Sequence, residues 1–419
     1  MENSALEKLS PLKPLTTDQA QLVQEIITFT TQHLQAGETP AIYTIYGDAG
    51  TGKSVVLSHL FQQIQLAARM DPRSPLYGTK NVFLVNHPEV LKVYKELAGP
   101  FKELLKKDYF RPTSFINQME KTNGQVDVAV IDEAHLLLSR TDHYNNFYHD
   151  NQLVEIIKRA KVVIVVFDQY QVLRMKSYWT PGRLQAITNQ YPHQETYLTH
   201  QFRMTASDNL LAWFNEFTNG QINPLPADSR DHYDFRIFDD AELMRQEIFQ
   251  RNDEVGLSRI LSTSGYPSTL DGGKHYIIEG DFKMPWDQYN FTATPWAEIP
   301  ETIHEVDSIY TCQGFDLNYT GIIIGPIISQ LPGTNRLQVN LDRVTDTEMF
   351  KRRNDLTDPV EIDQSKRQMI MNALNVILKR GVKGTYLYAH DPLLRQTLMQ
   401  NYQTLLRRTQ WNNASVTAL

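Results

Sequence analysis

The stretch IYGDAGTGKSVV, residues 45–56, decides the fold, because it contains the pattern G-x-x-x-x-G-K-S from Gly47 to Ser54. A β-rich apolar run, 41–47, leads into this loop, and helical periodicity begins at Lys53. A strand, a glycine-rich loop and a helix in this order turn backbone N–H groups toward nucleotide phosphates. We therefore expect Lys53 to reach the β- and γ-phosphates of ATP and Ser54 to bind Mg²⁺. The loop residues expected to bind nucleotide are Gly47, Asp48, Ala49, Gly50, Thr51, Gly52, Lys53, Ser54 and Val55.

Two adjacent carboxylates follow a second apolar strand, in VAVIDEAH at 128–135. In a parallel sheet the carboxyl end of this strand lies beside the phosphate loop. We expect Asp132 to hold Mg²⁺ and Glu133 to act as the base that orients and deprotonates the attacking water. The alternative interpretation is a strand followed by an acidic helix start. A base beside the metal favours nucleotide hydrolysis over storage.

The order of apolar runs and helical segments predicts an α/β protein with parallel sheets covered on both faces. Predicted strands lie at 41–47, 81–86, 126–134, 162–168 and 195–202, and then at 233–239, 257–263, 320–328 and 384–390. A helix is expected at 15–34, with an N-cap at residue 16, 17 or 18, and another at 363–381, closed by Gly381 as its C-cap. The restart of the pattern divides the chain into domains at 1–202 and 203–419, and a loop-rich stretch is expected at 264–300.

Length and composition limit the kind of protein that this chain can be. The chain has 419 residues, a net charge of −7 and one cysteine, Cys312. This length fits two or three domains, and a single cysteine excludes an internal disulfide framework. The N-terminus lacks the apolar segment of a signal peptide, and no apolar run is long enough to span a bilayer. We expect a cytoplasmic protein without a membrane partner. The net negative charge argues against a protein that coats nucleic acid by bulk charge, but it does not exclude a local basic groove.

Polar residues also follow the fourth predicted strand, in VFDQYQVL at 166–173. We expect Asp168 and Gln171 to lie beside the nucleotide and to sense its γ-phosphate.

Taken in order, these segments resemble the helicase motifs of superfamily 1, and more closely the helicase-like domain of the Schlafen family, group 3, with its bacterial relatives. The segments that carry the resemblance are LTTDQ (15–19), GDAGTGKS (47–54), VNHP (85–88), RPTSF (111–115), IDEAH (131–135), FDQYQ (167–171), HQFR (200–203), TCQGFD (311–316) and LKRGVKGTYLY (378–388).

The resemblance implies two tandem RecA-like domains of the P-loop NTPase type. It implies that Gln19 contacts adenine and that Arg203 and Arg380 act as arginine fingers, because a guanidinium neutralises charge developing on the transferred phosphoryl group. It also implies that Gln313 and Gly314 couple the nucleotide site to a bound nucleic acid strand.

Simpler roles stay open for several of these residues. Arg203 fits a surface ion pair, Arg380 fits the complementation of a helix dipole, and Gln19 fits an ordinary helix surface. Cys312 is better interpreted as a small buried residue than as a nucleophile. The sequence departs from the helicase pattern where Phe167 replaces a glycine and Lys379 replaces a threonine. These departures bear on strand separation and not on ATP binding.

Two functions follow. The first is an ATPase motor with ATP and Mg²⁺ as cofactors and single-stranded DNA or RNA as partner. The second is an ATP-dependent switch that acts on a protein partner. The run RMKSYWTPGR (174–183) interleaves basic and aromatic residues, as in single-strand contacts, but such a run is more often a solvated loop. Trp286 and Trp296 are candidates for base stacking or, more simply, for core packing.

Overall fold

The computed structural model describes residues 9–267, 273–288, 292, 296–312, 316–345 and 349–416. The chain divides into two compact units, Met1–Phe202 and Arg203–Leu419. Among the residues that the structure describes, no helix combines the length and the apolar composition that a membrane span requires.

Unit 1 alternates strands with helices, as the sequence pattern predicts. Its helices are α1 Thr17–Ala36, α2 Lys53–Met70, α3 Pro88–Leu97, α4 Pro112–Thr122, α5 Gln152–Ile157 and α6 Pro181–Thr188. Its strands are β1 Ala41–Gly47, β2 Asn81–Val85, β3 Tyr109–Phe110, β4 Val126–Asp132, β5 Ala160–Phe167 and β6 His193–Leu198. Helix α1 begins after Thr16, whose hydroxyl accepts from the Gln19 N–H while the Gln19 side chain accepts from the Thr16 N–H. This reciprocal capping satisfies backbone donors at the helix start.

The strands of unit 1 lie in the order β3-β2-β4-β5-β1-β6, and the pairs that the structure describes are parallel. Strand β5 thus separates β1, which leads into the phosphate loop, from β4, which leads into the paired carboxylates. The central strands are buried on both faces, which explains their continuous apolar sequences. Their carboxyl ends meet at one edge of the sheet and bring the predicted motifs together.

The last strand of unit 1 differs from the prediction. It was expected at 195–202, but β6 ends at Leu198. The next residues leave the sheet because they bond to the phosphate loop: the Phe202 N–H donates to the Gly50 carbonyl at 2.9 Å, and the Gln201 amide donates to the Ala49 carbonyl.

Unit 2 is a second α/β domain. Its helices are α7 Asp208–Thr218, α8 Ala241–Val255, α9 Ile309–Cys312, α10 Pro359–Leu378 and α11 Pro392–Val416. Its strands are β7 Asp234–Ile237, β8 Ser258–Ser262, β9 His275–Glu279, β10 Phe282–Trp286, β11 Val306–Asp307, β12 Leu317–Ile324, β13 Ile328–Gln330, β14 Leu337–Val339 and β15 Gly381–Ala389. The main sheet has the order β7-β15-β12-β8-β11-β10-β9 and is parallel apart from the β9–β10 pair. The predicted fold, two RecA-like domains with parallel sheets, is confirmed.

The stretch 264–300 was predicted to be loop-rich, and this is wrong for its middle. Strands β9 and β10 form an antiparallel hairpin around Gly280, which has a φ of 61°. A glycine-aspartate pair between strands favours this tight turn. Pro285 inside β10 obscured the signal, since proline argues against a strand interior. The hairpin buries Trp286, and Trp296 is also buried, so both belong to the core of unit 2.

The helix predicted at 363–381 is displaced. Helix α10 ends at Leu378 with Lys379 as its C-cap, and Gly381 is the first residue of β15. A Cβ atom at Gly381 would lie 2.2 Å from the Gly384 carbonyl oxygen. Glycine is therefore required here for a close backbone approach and not for helix capping.

A buried carboxylate fixes the hairpin to the sheet. Glu279 accepts hydrogen bonds from Tyr266 at 2.6 Å, from Tyr388 at 3.0 Å and from the His390 ring at 2.6 Å. Burial raises the pKa of Glu279, but the hydrogen bonds from His390 and the two tyrosines outweigh this effect and hold the pKa below its ordinary value.

We expect Glu279→Gln to destabilise unit 2 by about 1–3 kcal/mol at neutral pH, because hydrogen bonds to the buried carboxylate are lost. The folded-state pKa lies below the unfolded one, so this stabilisation is present above about pH 4.3 and is lost as the pH falls through the folded value. Thermal unfolding from pH 7 to pH 3 should therefore show the two proteins converging at the acidic end. A constant difference at all pH values would contradict this account.

Candidate functional site

The phosphate loop connects β1 to α2 and follows the geometry that anion binding requires. Gly50 and Gly52 have φ values of 85° and 80°, in the left-handed region that favours glycine. Helix α2 begins at Lys53 without a side-chain cap. Its first N–H groups and the positive end of its dipole are thus available to a phosphate group.

Gln19 lies against this loop and is only 6% exposed, so the interpretation as an ordinary helix-surface residue is wrong. A Cβ atom at Gly52 would lie 2.4 Å from the Gln19 side-chain nitrogen and 3.5 Å from the Phe202 ring. The Gln19 amide therefore fills the space that a side chain at position 52 would need.

We expect Gly52→Ala to weaken nucleotide binding, because the new methyl group displaces the Gln19 amide and an alanine strains the left-handed backbone at the start of α2. Gly78→Ala is the matched control: Gly78 has a φ of 79°, and a Cβ atom there meets nothing within 4 Å. Both variants carry the left-handed backbone cost of about 1 kcal/mol. Titration with a fluorescent ATP analogue should separate them. Equal weakening in both would show that a general loss of stability, and not the change within the loop, is responsible.

Lys53 is held by its own loop and by Asp168. Its ammonium donates to the carbonyl oxygens of Gly47 at 2.8 Å and Asp48 at 2.7 Å, and pairs with the Asp168 carboxylate at 3.1 Å. Gln171 donates to the same carboxylate oxygen at 2.8 Å. Burial raises the pKa of Asp168, but Lys53, His135 and the hydrogen bond from Gln171 together outweigh burial and hold this pKa below its ordinary value. The structure therefore brings Lys53, Asp168 and Gln171 together.

Asp132 ends β4 and is 1% exposed. Its carboxylate accepts from the Glu133 N–H at 2.9 Å and from the Tyr94 hydroxyl at 2.7 Å, and it is within hydrogen-bond reach of the Ser54 hydroxyl. Burial and the neighbouring Glu133 raise the pKa of Asp132 to about 6. Ser54 and Asp132 are the pair that the sequence assigned to Mg²⁺, and they are neighbours here.

Glu133 adopts a φ of 52°, an uncommon left-handed conformation for a residue other than glycine. Its carboxylate lies 3.4 Å from the His135 ring, which is fully buried. Burial lowers the pKa of His135 to about 4 against the raising effect of the Asp168 charge, and the charge of Lys53 adds a smaller lowering effect. His135 is therefore neutral beside the two carboxylates at neutral pH.

The site contains residues that sequence reasoning missed. Tyr94 reaches Asp132 from α3, and Phe202 presents a 45% exposed ring next to Gly52, packed edge-on against His200. Gln201 bonds to the loop carbonyl of Ala49. The segment HQFR was assigned to the motif set through Arg203 alone, although its preceding residues line the loop.

The residues present fit a nucleotide with Mg²⁺. Ser54 and Asp132 supply a hydroxyl and a carboxylate oxygen, the hard ligands that Mg²⁺ prefers, and Mg²⁺ typically takes only one or two protein ligands besides phosphates and water. The uncapped start of α2 and the left-handed glycines supply the phosphate cradle.

In unit 2 the two predicted arginines lie near each other. Arg203 pairs with Asp316 at 2.6 Å and contacts the Lys379 carbonyl, while the Arg380 side chain is 1% exposed. Both arginine charges lower the pKa of Cys312, but burial outweighs them and raises it to about 11. Cys312 is thus an unreactive buried thiol. Gln313 and Gly314 lie outside the described residues.

The aromatic rings of the basic and aromatic run at 174–183 are not exposed to solvent. Tyr178 and Trp179 are buried, and the Trp179 indole donates to the Leu137 carbonyl at 2.8 Å. These rings are core residues, so the stacking role considered for this run is not available to them.

Comparison with known proteins decides the family. Residues 40–391 match the model of the Schlafen group 3 DNA/RNA helicase domain. The chain belongs to the Schlafen group 3 helicase-domain family. An uncharacterized protein of Saccharomyces cerevisiae, YPL245W, is 37% identical over 428 residues, which cover 96% of this chain and 93% of the yeast protein. The predicted family is confirmed, and the chain carries a helicase-like domain.

Solved structures give weaker similarities to this Schlafen-type chain. The Pif1 helicase of Candida albicans has a TM-score of 0.35 at 9% identity, covering 94% of this chain and all of that one, 100%. The Pif1 helicase of Bacteroides, in complex with ADP-AlF3 and single-stranded DNA, has a TM-score of 0.30 at 11% identity, covering 89% and 92%. The family assignment depends on the domain match and the yeast relative.

Proposed function

We propose that this protein hydrolyses ATP and couples hydrolysis to binding and movement along single-stranded DNA or RNA. One observation carries the proposal, the cluster of polar residues around the phosphate loop. Lys53 and Gln171 are hydrogen-bonded to Asp168, and Ser54 contacts Asp132, which Glu133 follows in the chain. These are the groups that phosphoryl transfer to water requires: a cation, a metal-binding pair and a base.

Each residue has a stated role. Lys53 leaves Asp168 and neutralises the β- and γ-phosphates, while the loop N–H groups and α2 hold the phosphate oxygens. Ser54 and Asp132 would hold Mg²⁺, which neutralises phosphate charge when bound. Glu133 accepts the proton of the attacking water, and the neutral His135 ring lies beside it. Gln171 and Asp168 respond to the γ-phosphate through Lys53.

The nucleotide base is assigned to the surface formed by Gln19 and Phe202. The Gln19 amide supplies donors and an acceptor for the base edge, and the exposed Phe202 ring supplies a stacking face. We assign Arg203 and Arg380 as the arginine fingers, in keeping with the family. Asp316 then acts as the resting partner of Arg203.

The alternative is an ATP-dependent switch that acts on a protein partner. Two observations favour it: the net charge is −7, and the aromatic residues of the basic run are buried. Both observations argue against a nucleic-acid surface formed by residues 174–183, and neither bears on ATP hydrolysis.

Steady-state ATP hydrolysis with and without single-stranded DNA or RNA, with Lys53→Ala as the blank, tests the proposal. The motor function requires stimulation by one of the two nucleic acids. Hydrolysis that ignores both and disappears in Lys53→Ala would exclude the motor and support the switch. A rate equal to that of the blank would exclude both functions.

A further inference from the structure

The Tyr94 hydroxyl is a polar group at the bottom of the proposed metal site. Tyr94 is 2% exposed, and its hydroxyl donates to the Asp132 carboxylate at 2.7 Å. The same oxygen is within hydrogen-bond reach of the Ser54 hydroxyl. One phenol thus contacts both residues that are assigned to Mg²⁺.

The ring of Tyr94 is positioned by packing and not by this hydrogen bond. Helix α3 begins after His87, whose ring accepts from the Val90 N–H, and it carries Tyr94 over the sheet. The Tyr94 ring lies 4.5 Å from Phe83 and 6.3 Å from Tyr109, measured between ring centroids. A phenylalanine would fill the same space. The hydroxyl is therefore not needed for packing, and its burial is unfavourable unless it is hydrogen-bonded.

Both oxygens of the Asp132 carboxylate are held. The Glu133 N–H bonds to Oδ1, and the Tyr94 hydroxyl bonds to Oδ2. With both oxygens bonded, the carboxylate plane cannot rotate freely about the Cβ–Cγ bond. Groups that orient a metal ligand in this manner change metal affinity by about 10–100-fold when they are removed.

We propose that Tyr94 is a positioning residue of the Mg²⁺ site, whose hydroxyl orients Asp132 and Ser54 for binding of the metal together with the nucleotide. The inference depends on the proposed ATPase function and adds a residue to it. Tyr94 contacts neither the phosphates nor the attacking water in this role. Its removal should weaken the metal dependence of binding while leaving the metal-free contribution of the loop unchanged.

The test compares Tyr94→Phe with Tyr109→Phe, a matched control from the same aromatic cluster. Tyr109 is buried, and the charges of Asp108 and Arg69 act on its hydroxyl. Binding of a fluorescent ATP analogue is measured in EDTA and over a Mg²⁺ titration, and ATP hydrolysis is measured over the same titration. We expect the half-saturating Mg²⁺ concentration to rise about 10–100-fold in Tyr94→Phe, with unchanged binding in EDTA and wild-type behaviour in Tyr109→Phe.

Four outcomes would overturn the inference. A wild-type Mg²⁺ midpoint in Tyr94→Phe would show that the hydroxyl does not affect the metal site. An equal rise in Tyr109→Phe or a loss of binding in EDTA would indicate a structural role. Failure of Tyr94→Phe to fold would contradict the premise that the hydroxyl is not needed for packing, and the inference would then fail as well. Nucleotide binding by the wild type that ignores Mg²⁺ would count against the proposed function itself, and this result is distinct from a selective failure of the variant.

Discussion

Lys53→Ala should lower ATP hydrolysis by about 10²–10³-fold, the effect of removing one group that stabilises charge in the transition state. It should also destabilise unit 1, because the Asp168 carboxylate is fully buried and loses its cationic partner. Breaking one side of a buried ion pair costs about 3–5 kcal/mol. Hydrolysis assays and thermal unfolding of the same protein measure the two effects.

Asp168→Asn separates these effects when it is added to Lys53→Ala. The double variant no longer buries an unpaired charge, so its unfolding temperature should recover toward that of the wild type while hydrolysis stays absent. If the double variant is no more stable than Lys53→Ala alone, the unpaired Asp168 carboxylate is not the cause of the destabilisation in Lys53→Ala.

Glu133→Gln should retain ATP binding and lose about 10²–10⁴-fold in hydrolysis, the range expected when a general base is removed. The amide has nearly the same size and leaves the backbone conformation at φ 52° in place. Binding of a fluorescent ATP analogue and single-turnover hydrolysis separate the two properties.

Glu120→Gln is the control for Glu133→Gln. The Glu120 side chain is 54% exposed and lies in the same unit, where it contacts His149. This variant should hydrolyse ATP at the wild-type rate. A hydrolysis rate in Glu133→Gln within a few-fold of the control would mean that another group accepts the proton.

The fold could be predicted where local sequence and tertiary environment agree. Strands β1, β4 and β5 are buried on both faces, so their apolar runs were visible in the sequence, and the loop pattern from Gly47 to Ser54 predicted the start of α2. The hairpin of β9 and β10 was missed because Pro285 opposes a strand locally, while pairing with β9 and β11 overrides that preference.

The site could be predicted less completely. Lys53 and Asp132 belong to patterns in which the residue types and their spacing are both restrictive. The neighbours of these residues come from distant parts of the chain. From sequence alone, Tyr94 is interpreted as a core aromatic residue, and Phe202 as the last residue of a predicted strand. The roles of Arg203, Arg380 and Gln171 stay predictions, because their chemistry depends on a bound nucleotide.

The pairing of Lys53 with Asp168 has a consequence for nucleotide affinity. The carboxylate is an internal competitor, held permanently at a high effective concentration next to the ammonium that a phosphate must capture. Nucleotide binding is therefore an exchange of anions at Lys53. The observed dissociation constant is the intrinsic constant divided by the fraction of molecules in which Lys53 is free, so the observed affinity is lower. Under the proposed ATPase function, Asp168 recaptures the Lys53 ammonium after hydrolysis, and the affinity lost on binding is recovered as faster release of product.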